Sequence, residues 1–186
     1  MKINSVINKI EKELKKSLKN INDKKTNNFI DLILKSKKTF VAGQGRSGLI
    51  SESFAMRLMQ IGQKIYSVWD STTPAISKDD LLIVISGSGK TKMITVIIEE
   101  AKKNKAKIVL ITAKKTPKEK AQIKNIDLFI EIDAKTKKDY NQSSIEPLGT
   151  LFEQASLIYL DAIVIMLMKK LKIEEKDLGK KHANLE

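Results

Sequence analysis

Ser86, Ser88 and Thr91 bring three hydroxyls, and Gly87 and Gly89 two glycines, into the six residues "SGSGKT". The loop follows the apolar run "LLIVI" directly and opens a helix-period stretch. Hydroxyls donate to an oxyanion, glycines let backbone N–H groups approach it, and a helix N-terminus adds the positive end of its dipole. That is the chemistry of a phosphate cradle, and it exceeds what a helix cap and a turn require. The ending "GKT" invites comparison with a nucleotide-triphosphate loop. The pattern G-x-x-x-x-G-K-[ST] fails, however, because Val84 stands where its first glycine must be.

A second small-residue loop, "GQGRSG" at 43–48, spaces Gly43, Gly45 and Gly48 as G-x-G-x-x-G. Between a strand and a helix that spacing is a dinucleotide fingerprint, and Asp70 follows where a ribose-binding acid would sit. Taken alone the fingerprint carries little weight. With a hydroxyl loop beside it, the glycines have another task, a tight turn that presents Ser47 to the same anion. Asp70 is then a polar stop before the turn "STTP".

Proton chemistry has few candidates. The chain has one histidine, His182, and no cysteine, so thiol catalysis, disulfides and multi-histidine metal sites are excluded. Glu153, in "TLFE", has two readings. It completes a capping box with Thr150 at the N-cap, or it is a general base near the phosphate loops. His182 is a solvated tail residue or, with an intrinsic pKa near 6.5, a ring-opening or proton-shuttling group. Arg46 assists the phosphate or pairs with a carboxylate.

These residues need a frame. Ile3, Val6, Ile7, Ile10, Leu14, Leu18 and Ile21 recur at helical steps, and "NNFIDLILKS" follows as a second short helix. Five strand-like runs come next, at 39–43, 64–69, 80–86, 107–112 and 127–132. Helix-period stretches, notably "SGLISESFAMRLMQIG" and "TKMITVIIEEAKKN", separate most of them. Short, nearly continuous Ile- and Val-rich strands alternating with helices predict a doubly wound α/β fold with a five-stranded parallel sheet and helices on both faces. In such a sheet ligands sit beyond the carboxyl ends of the strands, where both glycine loops fall. A polar loop, "DAKTKKDYNQSSIEPLGT", then leads to a long helix from about Leu151 to Leu171. It is apolar nearly all round, and its place outside the five-strand unit favours a position between subunits.

At 186 residues the chain reads as one domain, with N-terminal helices over 1–36 and a C-terminal helix and tail over 150–186 assigned to oligomerisation. The apolar stretch "ASLIYLDAIVIMLM" is short for a membrane span and carries Asp161. With no signal-like apolar block at the N-terminus, a cytoplasmic location is expected. The net charge of +13 raises nucleic acid as a partner. Yet Arg46 and Arg57 are the only arginines among 35 basic residues, and the lysines are scattered and mixed with acids. That predicts a solvated lysine-rich surface, attractive to small anions, with neither nucleic acid nor membrane as partner.

"GQGRSG", "FAMRLMQIG", "TTP", "DLLIVISGSGKT", "PLGTLFE" and the terminal "KHANLE" together resemble the sugar isomerase (SIS) domain family, and within it the 6-phospho-3-hexuloisomerases. The S-G-S-G-x-T loop marks the SIS fold, whereas "PLGTLFE" and the terminal histidine are more specific. The resemblance implies a flavodoxin-like sheet, a homotetramer (a dimer of dimers), and no cofactor. It also implies reversible isomerisation of D-arabino-hex-3-ulose 6-phosphate to D-fructose 6-phosphate, a step of formaldehyde fixation through ribulose monophosphate. Carried across, Ser47, Ser86, Gly87, Ser88, Gly89, Lys90 and Thr91 hold the phosphate. Glu153 is then the base, and His182 completes a site, as a histidine from another subunit does in related isomerases. Lys90 stands where relatives often carry an acid. Two alternatives remain: a non-catalytic SIS module that senses a sugar phosphate, and a nicotinamide-dependent oxidoreductase.

Overall fold

The computed structural model describes residues 2–137, 144–182 and 184. Two helices, α1 (Ile3–Leu18) and α2 (Asp23–Lys35), precede the sheet. Then come β1 (Thr39–Gly43), α3 (Arg46–Gln60), β2 (Ile65–Ser67), β3 (Leu81–Ile85), α4 (Lys92–Lys103), β4 (Lys107–Ala113), α5 (Pro117–Ala121) and β5 (Leu128–Ile132). The chain continues through α6 (Thr150–Leu171) and α7 (Glu175–Gly179). All strand pairings are parallel, in the order β2-β1-β3-β4-β5.

The pleat explains the layers. Along β3, Leu81, Ile83 and Ile85 join one apolar cluster, whereas Leu82 and Val84 join the other. The first cluster lies under α2, α3 and α6, with Phe29, Ile33, Phe54, Leu58, Phe152 and Leu160 packed on the sheet. The second lies under α4, through Ile94, Ile98 and Ala101. Of the three interior strands, β1 and β3 are buried end to end, which is why they read as unbroken apolar runs. The edge strands β2 and β5 are only partly covered.

Helix α6 departs from expectation. It is a core helix of this chain, burying Leu151, Phe152, Ala155, Tyr159, Leu160, Ile163, Val164 and Leu167. Ile158, Ile165 and Met166 remain exposed on its outer side. Its 22 residues make it long and apolar enough to cross a membrane, unlike the shorter stretch marked in the sequence, but over half of that window is buried inside the fold. An all-apolar pattern cannot say which face meets the sheet. Leu160→Ala, at a site with 0% exposure, is expected to destabilise the protein by about 2–5 kcal/mol, read as a lower denaturant midpoint.

The N-terminal helices belong to the same core. Leu14, Leu18 and Ile21 pack on the first cluster, whereas Ile3 and Ile7 are exposed. Asn22 caps α2 by accepting from the Lys25 N–H at 2.9 Å, so this helix starts earlier than the apolar pattern suggests. Of the polar loop at 133–150, residues 138–143 lie outside the described residues.

Candidate active site

The strand order reverses direction between β1 and β3, and a crevice opens beyond their carboxyl ends. The two glycine loops leave from these ends. Between β1 and α3 the chain turns so tightly that a Cβ on Gly43 would lie 2.5 Å from the Ser47 carbonyl oxygen. Gly45 takes φ +57, a left-handed value that favours glycine. Trp69 Nε1 donates to the Gly43 carbonyl at 3.0 Å, fixing the strand end. The turn therefore presents Arg46 and Ser47 at the start of α3. Asp70 lies in a turn beyond β2, its N–H donating to the Ser67 carbonyl and its carbonyl accepting from the Thr73 N–H. That is the polar stop rather than a ribose ligand.

The second loop is also shaped by its glycines. Gly89 has φ +65, and a Cβ there would lie 2.7 Å from Ile123 Cδ1. At Gly87 a Cβ would press on Phe152 and Thr136 at 3.1 and 3.2 Å. The Gly89 N–H donates to Ser86 Oγ at 3.2 Å and the Lys90 N–H to Ser88 Oγ at 3.2 Å, which curls the loop. Thr91 occupies the N-cap of α4 without a side-chain capping bond, so its hydroxyl is not spent on the helix. Among the described residues, the Gly87 and Ser88 N–H groups make no backbone hydrogen bond. They are the donors an anion in this loop would meet.

A cleft of about 300 Å³ joins the two loops to the start of α6. Ser47, Ser86, Gly87, Ser88, Lys90, Thr91 and Glu153 all line it. Of the expected phosphate group, Gly89 alone does not; it serves the turn, tucked against Ile123 and Leu110. Lys90 Nζ donates to Gln122 Oε1 at 2.6 Å, a bond it would exchange to reach a phosphate.

The partners of Glu153 remove one of its two readings. The capping box is not formed: the N-cap of α6 is Gly149, and Thr150 Oγ1 donates to the Pro147 carbonyl at 2.8 Å. Glu153 Oε2 instead accepts from Arg46 Nε at 2.5 Å, with the Glu153 side chain only 6% exposed. Its Oε1 lies on the side of Gly149, 3.7 Å from where a Cβ there would sit. One oxygen is thus held by a guanidinium, and the carboxylate is anchored and oriented at the cleft wall.

His182 is not in this cleft. It lines a groove with Arg57, Gln60, Asp161 and Met168, between the later turns of α3 and α6 and α7. At 1.5 Å per residue, the stretch of α6 from Glu153 to Met168 spans roughly 20 Å.

A model of the SIS domain matches residues 32–146, more than half of the chain. The chain belongs to the SIS domain family. Over 87% of its length it is 40% identical to a Methanocaldococcus jannaschii protein named 3-hexulose-6-phosphate isomerase, covering 84% of that relative. A Bacillus subtilis protein of the same name is 37% identical over the whole of both chains. A Methanococcus jannaschii crystal structure, described as inferring 3-hexulose-6-phosphate isomerase function, superposes with a TM-score of 0.81 at 37% identity, covering 98% of this chain and 99% of that one. The SIS resemblance and the five-stranded parallel sheet read from the sequence both hold, as does the coarser expectation of a sugar-phosphate isomerase.

Sequence reasoning missed Gln44, Thr136, Lys137, Gly149 and Phe152 as members of this SIS cleft. Thr136 and Lys137 follow β5, so the rule that ligands sit beyond strand carboxyl ends was the available signal. Of the two readings of Arg46, pairing with a carboxylate holds, but nothing in the sequence named Glu153, 107 residues away, as its partner.

Proposed function

We propose that this protein interconverts D-arabino-hex-3-ulose 6-phosphate and D-fructose 6-phosphate through a 2,3-enediol. The observation that carries the reading is the meeting, in one cleft, of a hydroxyl- and glycine-rich phosphate loop with the buried Glu153 carboxylate. Ser47, Ser86, Ser88 and Thr91 hydroxyls, with the Gly87 and Ser88 N–H groups and the Lys90 ammonium, hold the phosphate. The sugar chain then extends toward α6. Moving the carbonyl from C3 to C2 takes a proton from C2 and returns one to C3, and a single carboxylate over that face serves both transfers. Glu153 is that base. Arg46 and Lys137 supply positive charge for the enediolate that develops.

His182 serves a neighbouring subunit in this reading, because its groove in its own chain stands away from the cleft. The exposed apolar side of α6 and exposed residues such as Ile3 and Leu148 give a homo-oligomer, a tetramer in this proposal, the surface it needs. The reaction would belong to the ribulose monophosphate route, in either direction.

Turnover is tested by generating hex-3-ulose 6-phosphate from formaldehyde and ribulose 5-phosphate with a synthase. Fructose 6-phosphate is then read as NADPH through glucose-6-phosphate isomerase and its dehydrogenase. Turnover by the purified protein supports the proposal; binding of sugar phosphate without turnover makes the protein a sensor module. Ser88→Ala is expected to raise KM roughly tenfold or more with kcat changed little, since it removes one hydrogen bond to a charged group; steady-state kinetics check this.

A further inference from the structure

A second cavity, of about 260 Å³, opens between the end of α1, the start of α2 and the carboxyl ends of β4 and β5. It shares no lining residue with the cleft. Lys25, Lys114, Lys115 and Lys120 line it against two acids, Glu131 and Asp133, which leaves an excess of two positive charges. Glu131 organises the wall. Its Oε2 accepts from Lys120 Nζ at 2.7 Å and from Lys25 Nζ at 3.2 Å, and its Oε1 accepts from the Lys115 N–H at 3.1 Å. Burial pushes this carboxyl up, but those hydrogen bonds outweigh it and hold it below the usual carboxylate range. One carboxylate thus seats two ammonium groups, and each ammonium, with three N–H donors, keeps donors to spare. Lys114 Nζ lies 3.9 Å from Asp133 Oδ2, and Lys115 Nζ makes no ion pair among the described residues.

The opposite wall carries an independent sign of a ligand. Ser17 is 3% exposed and lines the cavity, and its hydroxyl makes no hydrogen bond among the described residues. That hydroxyl is not sealed in the core, so the space left open to it is this cavity. A buried hydroxyl without a partner is rare and costly. Its neighbour Thr26 is already engaged, with the Tyr159 hydroxyl at 3.3 Å, whereas Asn20 adds a side-chain amide to the lining. We propose that this cavity is a second ligand site, for a small phosphate monoester. The lysine ammonium groups take the dianion, whose charge balances the lining. Ser17 and Asn20 then bond to hydroxyls on the rest of the molecule. The excess of positive charge disfavours a cation. A nucleotide is a poor fit, because the volume falls below the roughly 300–1,000 Å³ usual for ligand pockets and no aromatic side chain lines it.

The probe is sn-glycerol 3-phosphate, titrated into the whole chain labelled with nitrogen-15 and followed by amide NMR. The amides of Ser17, Asn20 and Lys115 are expected to saturate with a Kd of about 1 mM or tighter, apart from any change at Gly87 and Ser88 in the cleft. Sodium chloride at matched ionic strength should not reproduce their shifts. Two substitutions leave the frame intact, because neither side chain is hydrogen-bonded and Glu131 keeps its three donors. Lys115→Gln should weaken this binding about tenfold and Ser17→Ala about threefold or more, with the Gly87 and Ser88 amides responding as in the wild type. The inference is wrong if only the cleft amides move, if salt alone moves those of Ser17 and Lys115 equally, or if Lys115→Gln leaves their affinity unchanged. The lysines are then a solvated ion-pair network, and the reading of the cleft is untouched.

Discussion

Glu153→Gln is expected to lower kcat by about 10²–10⁴-fold while KM and sugar-phosphate affinity stay within a few-fold. The substitution keeps the shape of the side chain at a wall where the carboxylate is 6% exposed. It removes the one property the proposed reaction needs there, the capacity to take a proton from carbon and give it back. The loop at 86–91 lies between β3 and α4, and Glu153 on α6, so the loop's contacts are expected to survive the change. The amide still offers an oxygen to Arg46, which limits structural loss. Steady-state kinetics paired with calorimetric binding of fructose 6-phosphate separate the two effects. Loss of binding together with turnover would make Glu153 a structural member of the cleft.

Gly43→Ala should damage stability and activity together. The added Cβ would lie 2.5, 2.7 and 2.8 Å from the Ser47 carbonyl oxygen, the Ser47 carbonyl carbon and the Gly48 nitrogen. All three are backbone atoms, so no rotamer change relieves the contact, and β1 must part from the first turn of α3. Overpacking of this kind costs about 1–3 kcal/mol, or a fall in Tm of roughly 2–12 °C for a chain of this size. The displaced turn carries Arg46 and Ser47, one pairing with Glu153 and one lining the cleft. A shift of about 1 Å there is enough to reduce kcat/KM by about 10²-fold. Thermal melts and kinetics on the same preparation check both parts. An unchanged Tm would show that the turn absorbs the methyl group.

The contrast between these positions shows what a sequence exposes. Gly43 announces itself because a tight turn between a strand and a helix has a local signature, and β1 spans the residues the apolar run predicts. The loop at 86–91 is legible for the same reason: its hydroxyls, glycines and helix start are contiguous in the chain. Glu153 is ambiguous in sequence because capping is also a local rule, and only the fold, with Gly149 at the N-cap and the distant Arg46 on the carboxylate, removes the cap. Lys137 owes its place to a long excursion between β5 and α6 that no periodicity describes. For α6, uniform hydrophobicity records burial but not the partner, so a core helix reads equally well as an interface.

The most direct measurement follows the carbonyl itself. Fructose 6-phosphate labelled with carbon-13 at C2 would be incubated in deuterated water with wild-type protein and with Glu153→Gln, and the products observed by NMR. The wild type, and not the variant, is expected to form a product whose keto group has moved to C3, with the labelled C2 now a hydroxyl-bearing carbon. A product with an aldehyde at C1, or equal conversion by both proteins, would contradict the proposed reaction.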